Sequence, residues 1–198
     1  MQIQSTFYTP YVSQSTTLTL QKKQFYHGAK MTLTIKKINS DSNDISKVKS
    51  LYCRAFPRNE RRSFNELANH RIGNTELFVF YDRDLFVGMA VTMNSPDITH
   101  LVYLAIDDNL RGKGYGTQAL ALLHKYYAGK RIIADIERPN GTSDNEKQRT
   151  LRKQFYLRAG YAETEVKYRW RNEDYEILSF GGAVSKQDYD DFWDHLMV

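Results

Sequence analysis

The sequence has 198 residues, of which 41% are hydrophobic and 13% aromatic, a composition typical of a folded globular domain. No apolar run approaches the ~20 residues that a membrane-spanning helix needs. The N-terminus lacks the basic start and the continuous apolar stretch of a signal peptide, so we expect a cytoplasmic protein with no membrane partner. The lone cysteine, Cys53, excludes an internal disulfide and a cysteine-based metal site.

The net charge of +5 is unevenly distributed along the chain. Residues 1–30 carry three lysines and no acidic residue, which leaves 25 basic against 23 acidic residues in the remainder. Because the remainder is nearly balanced, the charge argues against nucleic-acid binding. Residues 1–30 are also rich in Gln, Ser, Thr and Tyr, and we interpret them as a polar extension that precedes one domain over residues 31–198.

Hydrophobic periodicity predicts a mixture of strands and helices from residue 32 onward. Ser63 with Glu66 three residues later is a capping-box signature of a helix start, and Ser185 with Asp188 opens the last helix. In chain order the sequence predicts a strand at 32–38, helices at 41–56 and 63–73, strands at 75–81, 85–93 and 99–106, a helix at 115–128, a strand at 131–137, a helix at 146–159, strands at 161–170 and 175–180, and a helix from 185 to 196.

The segment that points most directly to a ligand site is rich in glycine and joins a strand to a helix. After the strand that ends at Ile106, a short loop leads to Arg111-Gly112-Lys113-Gly114-Tyr115-Gly116-Thr117. Glycines at alternate positions let the backbone turn tightly and direct its N–H groups outward, and the helix N-terminus adds partial positive charge. This pattern predicts an anion site suited to a diphosphate, to which Arg111 and Lys113 could add charge.

Three other interpretations of this segment compete. A dinucleotide fingerprint fails because the sixth position counted from Gly112 is Thr117 rather than glycine, and a P-loop fails because Lys113 is followed by Gly114. Residues 113–116 match the start of an RNA-recognition core, but the residues that follow continue as a helix instead of a strand. The remaining alternative is a glycine-rich turn without a ligand.

Two motifs together give a resemblance to a known family. The spacing Arg111-x-x-Gly114-x-Gly116 after a strand resembles the acetyl-CoA-binding motif of the GNAT superfamily. The run Phe155-Tyr156-Leu157-Arg158-Ala159-Gly160-Tyr161 resembles the second motif of that superfamily, and the order of elements over residues 31–180 also matches. The chain is similar to small bacterial members. The resemblance implies an α/β fold with a mixed, mostly antiparallel sheet flanked by helices.

The resemblance also implies where the co-substrate acetyl-CoA binds. The strand that carries Leu104, Ala105 and Ile106 is expected to splay from its parallel neighbour at 131–137 and to pair through its backbone with the pantetheine arm. The amides of residues 112–117 are expected to hold the diphosphate. A backbone N–H near Leu104 and Ala105 would stabilise the oxyanion of the tetrahedral intermediate, a contribution of typically ~3 kcal/mol.

The candidate acid and bases lie outside the glycine-rich segment. By resemblance, Tyr156 is the general acid that protonates the departing thiolate. The acceptor amine must be neutral when it attacks, so a base or a water relay is required. Glu137, at the end of the splayed neighbour strand, is one candidate base. Glu60, in the loop between the first two helices, is the other.

The helix that carries Tyr156 departs from the family pattern. Where the superfamily often has Asn and a small Ala, this sequence has Arg149 and Arg152. With Lys153, these arginines either reach the phosphates of the cofactor or form a solvated basic face. The four histidines after the N-terminal extension show no pairing that indicates a metal or a catalytic triad, and we interpret them as surface or core residues; they are His70, His100, His124 and His195.

The combined interpretation is an N-acetyltransferase that acetylates a primary amine of a small molecule or peptide by direct attack. A catalytically inactive acyl-CoA sensor with the same fold is the first alternative, and an RNA-binding module is the second. The sequence does not identify the acceptor, which could be an antibiotic, polyamine, amino acid, peptide or protein lysine. The last strand and helix offer a surface for a homodimer.

Overall fold

The structure is a computed structural model that describes residues 32–58, 60–69, 74–170 and 172–196. The predicted extension at residues 1–30 lies outside the described residues, as does His70. Within the described ranges the elements are β1 (Leu33–Ile38), α1 (Ile45–Ala55), α2 (Phe64–Ala68), β2 (Thr75–Asp82), β3 (Leu85–Asn94), β4 (Ile98–Ile106), α3 (Tyr115–Tyr126), β5 (Arg131–Glu137), α4 (Glu146–Arg158), β6 (Ala162–Trp170), β7 (Glu173–Phe180) and α5 (Lys186–Leu196).

The strands of the described ranges form one seven-stranded sheet in the order β1-β2-β3-β4-β5-β7-β6. Neighbouring strands run antiparallel except for β4 and β5, which are parallel. The long connection through α3 is what a parallel pair requires, since two parallel strands cannot be joined by a tight hairpin. The predicted mixed, mostly antiparallel sheet flanked by helices is therefore confirmed.

The parallel pair opens into a gap after three residues. β4 pairs with β5 only where Ile98, Thr99 and His100 lie beside Arg131, Ile132 and Ile133. Beyond this point β4 stays paired with β3 as far as Ile106, and β5 stays paired with β7 as far as Glu137. Each strand thus keeps its outer partner while the two inner edges separate, which is the splay that the family resemblance implied.

Helices cover both faces of the sheet and create two apolar clusters. One cluster joins α1, α2 and α5 to the face of β4 that carries Tyr103 and Ala105. The other joins α3 and α4 to the face that carries Leu104 and Ile106. Because successive strand residues point to opposite faces, every residue of β4 is buried, as expected for a central strand that is covered on both sides.

The prediction for the second helix was wrong in two respects. The helix α2 ends at Ala68, where Asn69 donates both its backbone N–H, at 3.1 Å, and its side-chain amide, at 2.7 Å, to the carbonyl of Asn65. Residues 70–73 lie outside the described ranges. The predicted capping box at Ser63 does not form, since its side chain makes no capping hydrogen bond.

The start of α5 behaves as the sequence predicts. The backbone N–H of Ser185 donates to Oδ2 of Asp188 at 2.8 Å, and the N–H of Asp188 donates to Oγ of Ser185 at 3.1 Å. These reciprocal bonds satisfy two N–H groups that a helix start leaves unpaired. The remaining predicted elements agree with the observed bounds to within a few residues.

Candidate active site

The predicted anion site lies at the N-terminus of α3, directly after the end of β4. Asp107 follows the strand and accepts a hydrogen bond from the backbone N–H of Asn109 at 3.1 Å, which closes a 3-10 turn. Gly112 and Gly114 then adopt left-handed backbone angles, with φ of 73° and 85°. An L side chain is strained in that conformation, so the glycines are required by the turn itself.

A cavity of about 380 Å³ opens above this turn, between the start of α3 and the second half of α4. Its size falls within the usual range for small-molecule sites. Glycines and Arg111 contribute to one wall, and two apolar side chains and two arginines of α4 form the other. The lining residues are Ile106, Leu110, Arg111, Gly112, Gly114, Tyr115, Gly116, Thr117, Leu151, Arg152, Phe155 and Arg158.

Arg111 connects the glycine turn to the end of β4. Its Nε donates to the carbonyl of Ile106 at 3.3 Å, and its Nη2 lies 2.8 Å from Oδ1 of Asp108. Burial lowers the pKa of Arg111, although an arginine remains protonated at physiological pH. Its Nη1 is buried and has no hydrogen-bond partner among the described residues, so it can donate to a ligand in the cavity. Lys113, by contrast, is exposed and is not among the lining residues.

The backbone of β4 beside the gap is the predicted position of the acetyl group. Over Leu104, Ala105 and Ile106 the strand pairs with β3 on one edge only. Every second N–H of such a strand points away from its partner and therefore into the gap. A Cβ added at Gly88 would come within 2.3 Å of the Ala105 carbonyl, so glycine at this position allows β3 to approach closely.

The candidate acid, Tyr156, is fully buried and does not line the cavity. Its ring packs edge-on against Phe155 and Tyr161, with centroids 5.2 and 5.1 Å away. It belongs to the same apolar cluster as Leu104 of β4 and Ile136 of β5, the two strands that border the gap. Phe155 is the member of this motif that reaches the cavity.

The candidate base Glu137 is 7% exposed and forms ion pairs with α4. Its Oε2 accepts a hydrogen bond from Nη1 of Arg152 at 2.9 Å and one from the side-chain amide of Asn145 at 3.3 Å. Nε of Arg149 lies 3.7 Å from the same oxygen. Its Oε1 makes no hydrogen bond to any residue in the described ranges, so one oxygen of this carboxylate is available to a substrate or a water.

The predicted alternatives for the basic face of α4 need correction. Arg149 and Arg152 are each 3% exposed, so a solvated face is wrong for both of them. Arg149 pairs with Glu173 at 2.8 Å, while Lys153 lies 2.9 Å from Glu163 and 3.0 Å from Glu176. The reason is the packing of α4 over β5 and β7, whose carboxylates face the helix. Of the three basic residues, only Arg152 lines the cavity.

Glu60 lies in the loop between α1 and α2, and this loop is fixed to β4. The hydroxyl of Tyr103 donates to the backbone carbonyl of Glu60 at 3.0 Å. The backbone N–H of Arg62 donates to the hydroxyls of Tyr52 and Tyr103, at 2.9 and 3.3 Å. Because Tyr103 directly precedes Leu104 in β4, the loop is fixed to the strand next to the predicted acetyl position.

Tyr175 lies within electrostatic range of both candidate bases. It lies opposite Glu137 in the β5–β7 pairing and is 2% exposed. Burial raises the pKa of Tyr175, and the charges of Glu137, Glu60 and Glu173 raise it further. Both predicted carboxylates therefore lie within electrostatic range of one hydroxyl. Sequence reasoning missed Tyr175 and Tyr103, because a tyrosine in a strand carries no signal beyond its contribution to the core.

The described histidines lie away from the cavity. His100 is fully buried, and its Nε2 lies 3.0 Å from Oδ1 of Asp135, whose Oδ2 accepts a hydrogen bond from the hydroxyl of Tyr168 at 2.6 Å. His124 stacks on Phe180, and burial lowers the pKa of His124 to about 4. Among the described residues no group of three or more His, Cys, Asp or Glu side chains is arranged to hold a metal ion.

The sheet has a gap between two parallel strands, and a glycine-lined cavity lies at the edge of that gap, as the family resemblance implied. Residues 73–163 match the family model of the acetyltransferase (GNAT) domain. The match includes β4, the glycine turn and the motif around Tyr156. This segment of the chain is therefore similar to a GNAT acetyltransferase domain.

Solved structures support the same fold. A protein from Bacteroides thetaiotaomicron assigned to the GNAT acetyltransferase family has a TM-score of 0.69 at 24% identity, over 82% of this chain and 95% of the other. An aminoglycoside 6'-N-acetyltransferase complexed with coenzyme A has a TM-score of 0.59 at 14% identity, over 74% of this chain and 96% of the other. The Escherichia coli ribosomal-protein-S18-alanine N-acetyltransferase has a TM-score of 0.54 at 17% identity, over 79% of this chain and 98% of the other. No functionally curated protein matches the sequence. In the part of the chain that the structure describes, no helix is long and apolar enough to span a membrane.

Proposed function

We propose that this protein transfers an acetyl group from acetyl-CoA to a primary amine by direct attack. The single observation that carries the proposal is the position of the glycine turn and of the cavity above it, at the end of the β4 strand that borders the gap between β4 and β5. The first of these suits a diphosphate, and the last exposes backbone groups for the arm that bears the thioester. The buried Nη1 of Arg111, which has no hydrogen-bond partner in the part of the chain that the structure describes, fits the same ligand.

The reaction requires the chain to bind the donor, to stabilise the oxyanion, to protonate the departing thiolate and to accept a proton from the amine. The turn at Gly112 and Gly114 binds the diphosphate and orients the donor, and a backbone N–H near Leu104 or Ala105 stabilises the oxyanion that forms when the amine attacks the carbonyl. Carbon–nitrogen bond formation is followed by cleavage of the carbon–sulfur bond. A phenol such as that of Tyr156 can return a proton to the departing thiolate.

The proton that the amine loses requires an acceptor. Glu137 and Glu60 are the proposed bases, acting directly or through water, because both act electrostatically on Tyr175, which pairs with Glu137 at the end of β5. Oε1 of Glu137 is the more specific candidate, since Oε2 receives two contacts from α4 and one from Asn145, the residue before that helix. The loop that carries Glu60 is fixed to β4 by Tyr103 and is the proposed boundary of the acceptor site.

For the acceptor, the related structures support a broad class. One of them is named for an aminoglycoside and another for the alanine of ribosomal protein S18. Both names describe an amine on a larger, polar molecule, and we extend only this class to the present protein. A small molecule or a peptide amine is the proposed acceptor.

One observation favours the alternative of an acyl-CoA sensor. Tyr156 is fully buried and absent from the cavity wall, whereas an acid must approach the thioester sulfur. A sensor would keep the glycine turn and would need neither Tyr156 nor a base. Turnover separates the two functions, because both predict binding of acetyl-CoA.

A thiol-release screen tests the proposal. The protein is mixed with acetyl-CoA and a panel of amines that includes aminoglycosides, polyamines, amino acids and short peptides, and free CoA thiol is measured over time. Release that depends on one class of amine supports the transferase. Tight binding of acetyl-CoA, with no amine-dependent release across the panel, would support the sensor instead.

A further inference from the structure

Arg152 of α4 is a buried arginine in which one side-chain nitrogen is hydrogen-bonded and another is not. Its Nη1 donates to Oε2 of Glu137 at 2.9 Å. Its Nε is buried and has no hydrogen-bond partner among the described residues, although the residue is only 3% exposed. Burying a guanidinium N–H without an acceptor is unfavourable, because the hydration that it loses is not replaced. Such a group at the wall of a cavity indicates that a ligand supplies the acceptor.

We propose that Nε of Arg152 donates a hydrogen bond to an amide carbonyl of the pantetheine arm of acyl-CoA while Nη1 holds Glu137. The proposal rests on the proposed function, since it assumes that the cavity above the glycine turn binds acyl-CoA. Arg152 is then a ligand-binding residue for the donor and a positioning residue for Glu137. Where the superfamily often has a small residue, this sequence has Arg152, so the family pattern does not provide this contact.

The neighbouring arginine shows that Arg152 differs from an ordinary buried ion pair. Arg149, three residues earlier on α4, is equally buried. Each of its nitrogens is used, since Nε donates to Asn145 at 2.6 Å, Nη1 to the carbonyl of Arg138 at 3.4 Å and Nη2 to Glu173 at 2.8 Å. Arg149 does not line the cavity, whereas Arg152 does.

The electrostatics favour an amide of the arm over a phosphate as the acceptor. The charge of Arg152 is already balanced by Glu137 at 2.9 Å. A phosphate close to this pair would be repelled by the carboxylate, whereas a neutral carbonyl would not. The phosphates have their own site at the glycine turn, and the arm must pass from that turn towards the gap. Arg152 shares this wall of the cavity with the apolar side chains of Leu151 and Phe155 and with Arg158 near the end of α4.

Ligand fragments test the contact directly. Equilibrium dissociation constants are measured for CoA and for 3'-phosphoadenosine 5'-diphosphate, which has the nucleotide and the diphosphate but lacks the arm. For Arg152→Lys we expect the affinity for CoA to fall about 10-fold, the effect of one lost hydrogen bond to a charged group, with unchanged affinity for the fragment. Arg149→Lys is the matched control, and we expect no selective loss of CoA affinity from it.

Several outcomes would overturn the proposal. An equal loss for both ligands would place Arg152 at the phosphates, and no loss for either ligand would show that the arginine has only a structural role. A selective loss in Arg149→Lys as large as that in Arg152→Lys would point to a general effect of the ion-pair network. If the wild type binds neither ligand, the proposed function fails as well, so the two failures are distinguishable.

A measurement on the wild type keeps the test independent of folding. The Nε–H signal of Arg152 is followed by ¹H–¹⁵N NMR and assigned by its loss in Arg152→Lys or, if that variant does not fold, in Arg152→Gln or by through-bond experiments. We expect the signal to shift and to become protected from exchange when CoA is added, and to stay in place when the fragment is added. An Nε–H signal that responds equally to both ligands would contradict the contact.

Discussion

The ring of Phe155 occupies the space that a side chain at Gly116 would need. A Cβ added at Gly116 would lie 3.2 Å from Cε2 and 3.3 Å from Cζ of Phe155. The two motifs that gave the family resemblance are therefore in direct contact, one at the start of α3 and the other near the end of α4. The contact brings the two helices together at the cavity, of which both residues form part of the wall.

We expect Gly116→Val to displace the Phe155 ring into the cavity. Overpacking of this kind typically costs ~1–3 kcal/mol of stability. Acetyl-CoA affinity should fall by about 10-fold, because the displaced ring occupies space that the ligand needs. Calorimetric titration and thermal unfolding measure the two effects. The double variant Gly116→Val/Phe155→Leu should recover most of the affinity, and failure to recover would show that the ring is not the cause.

The left-handed turn gives a second prediction. Gly114 has φ of 85° and is the N-cap of α3, so Gly114→Val should both strain the turn and block the approach of the diphosphate. We expect acetyl-CoA binding to be lost in calorimetry. Gly129→Val is the matched control, since Gly129 has φ of 91°, no atom within 4 Å of an added Cβ and no place in the cavity wall. Micromolar binding by Gly114→Val would contradict the assignment of the site.

Tyr156→Phe tests the proposed general acid. Removal of one hydroxyl leaves the ring packing against Phe155 and Tyr161 intact. We expect kcat to fall by ~10²–10⁴-fold, with little change in the dissociation constant of acetyl-CoA. Tyr161→Phe removes the hydroxyl of a second buried tyrosine in the same cluster and should leave kcat nearly unchanged. Equal kcat values for the wild type and Tyr156→Phe would remove Tyr156 from the mechanism.

Tyr103→Phe tests whether the loop that carries Glu60 borders the acceptor site. The change removes the hydrogen bond to the Glu60 carbonyl and one acceptor for the Arg62 amide, at a cost of about 1 kcal/mol in stability. We expect KM for the acceptor to rise several-fold, while the affinity for acetyl-CoA is unchanged because β4 keeps its backbone pairing. A change confined to acetyl-CoA affinity would contradict the placement of the acceptor.

The parts of the site that follow from local sequence could be predicted. The left-handed turn at Gly112 and Gly114 is specified by glycine spacing within a few residues, and the strand and helix around it follow from hydrophobic periodicity. The Ser185–Asp188 cap is equally local. By contrast, the capping box predicted at Ser63 does not form, since the Ser63 side chain makes no capping hydrogen bond at the start of this short helix.

The parts that depend on tertiary packing could not be predicted. Nothing in the sequence near Arg152 indicates that its partner is Glu137, because that pair forms only when α4 packs across β5. The same holds for Tyr103, whose hydroxyl reaches a loop more than forty positions away in the chain. A charged residue on a helix is usually solvated, so the pattern favoured the wrong environment for Arg149 and Arg152.

The central claim is that the protein moves an acetyl group from CoA to an amine. The most direct measurement uses acetyl-CoA with a ¹³C-labelled acetyl group, together with an amine that is active in the thiol screen, and quantifies free thiol and labelled amide in the same sample. The account predicts equal amounts of both products, formed only by protein with an intact glycine turn. Thiol release without labelled amide, or no thiol release from bound acetyl-CoA with any amine, would contradict it.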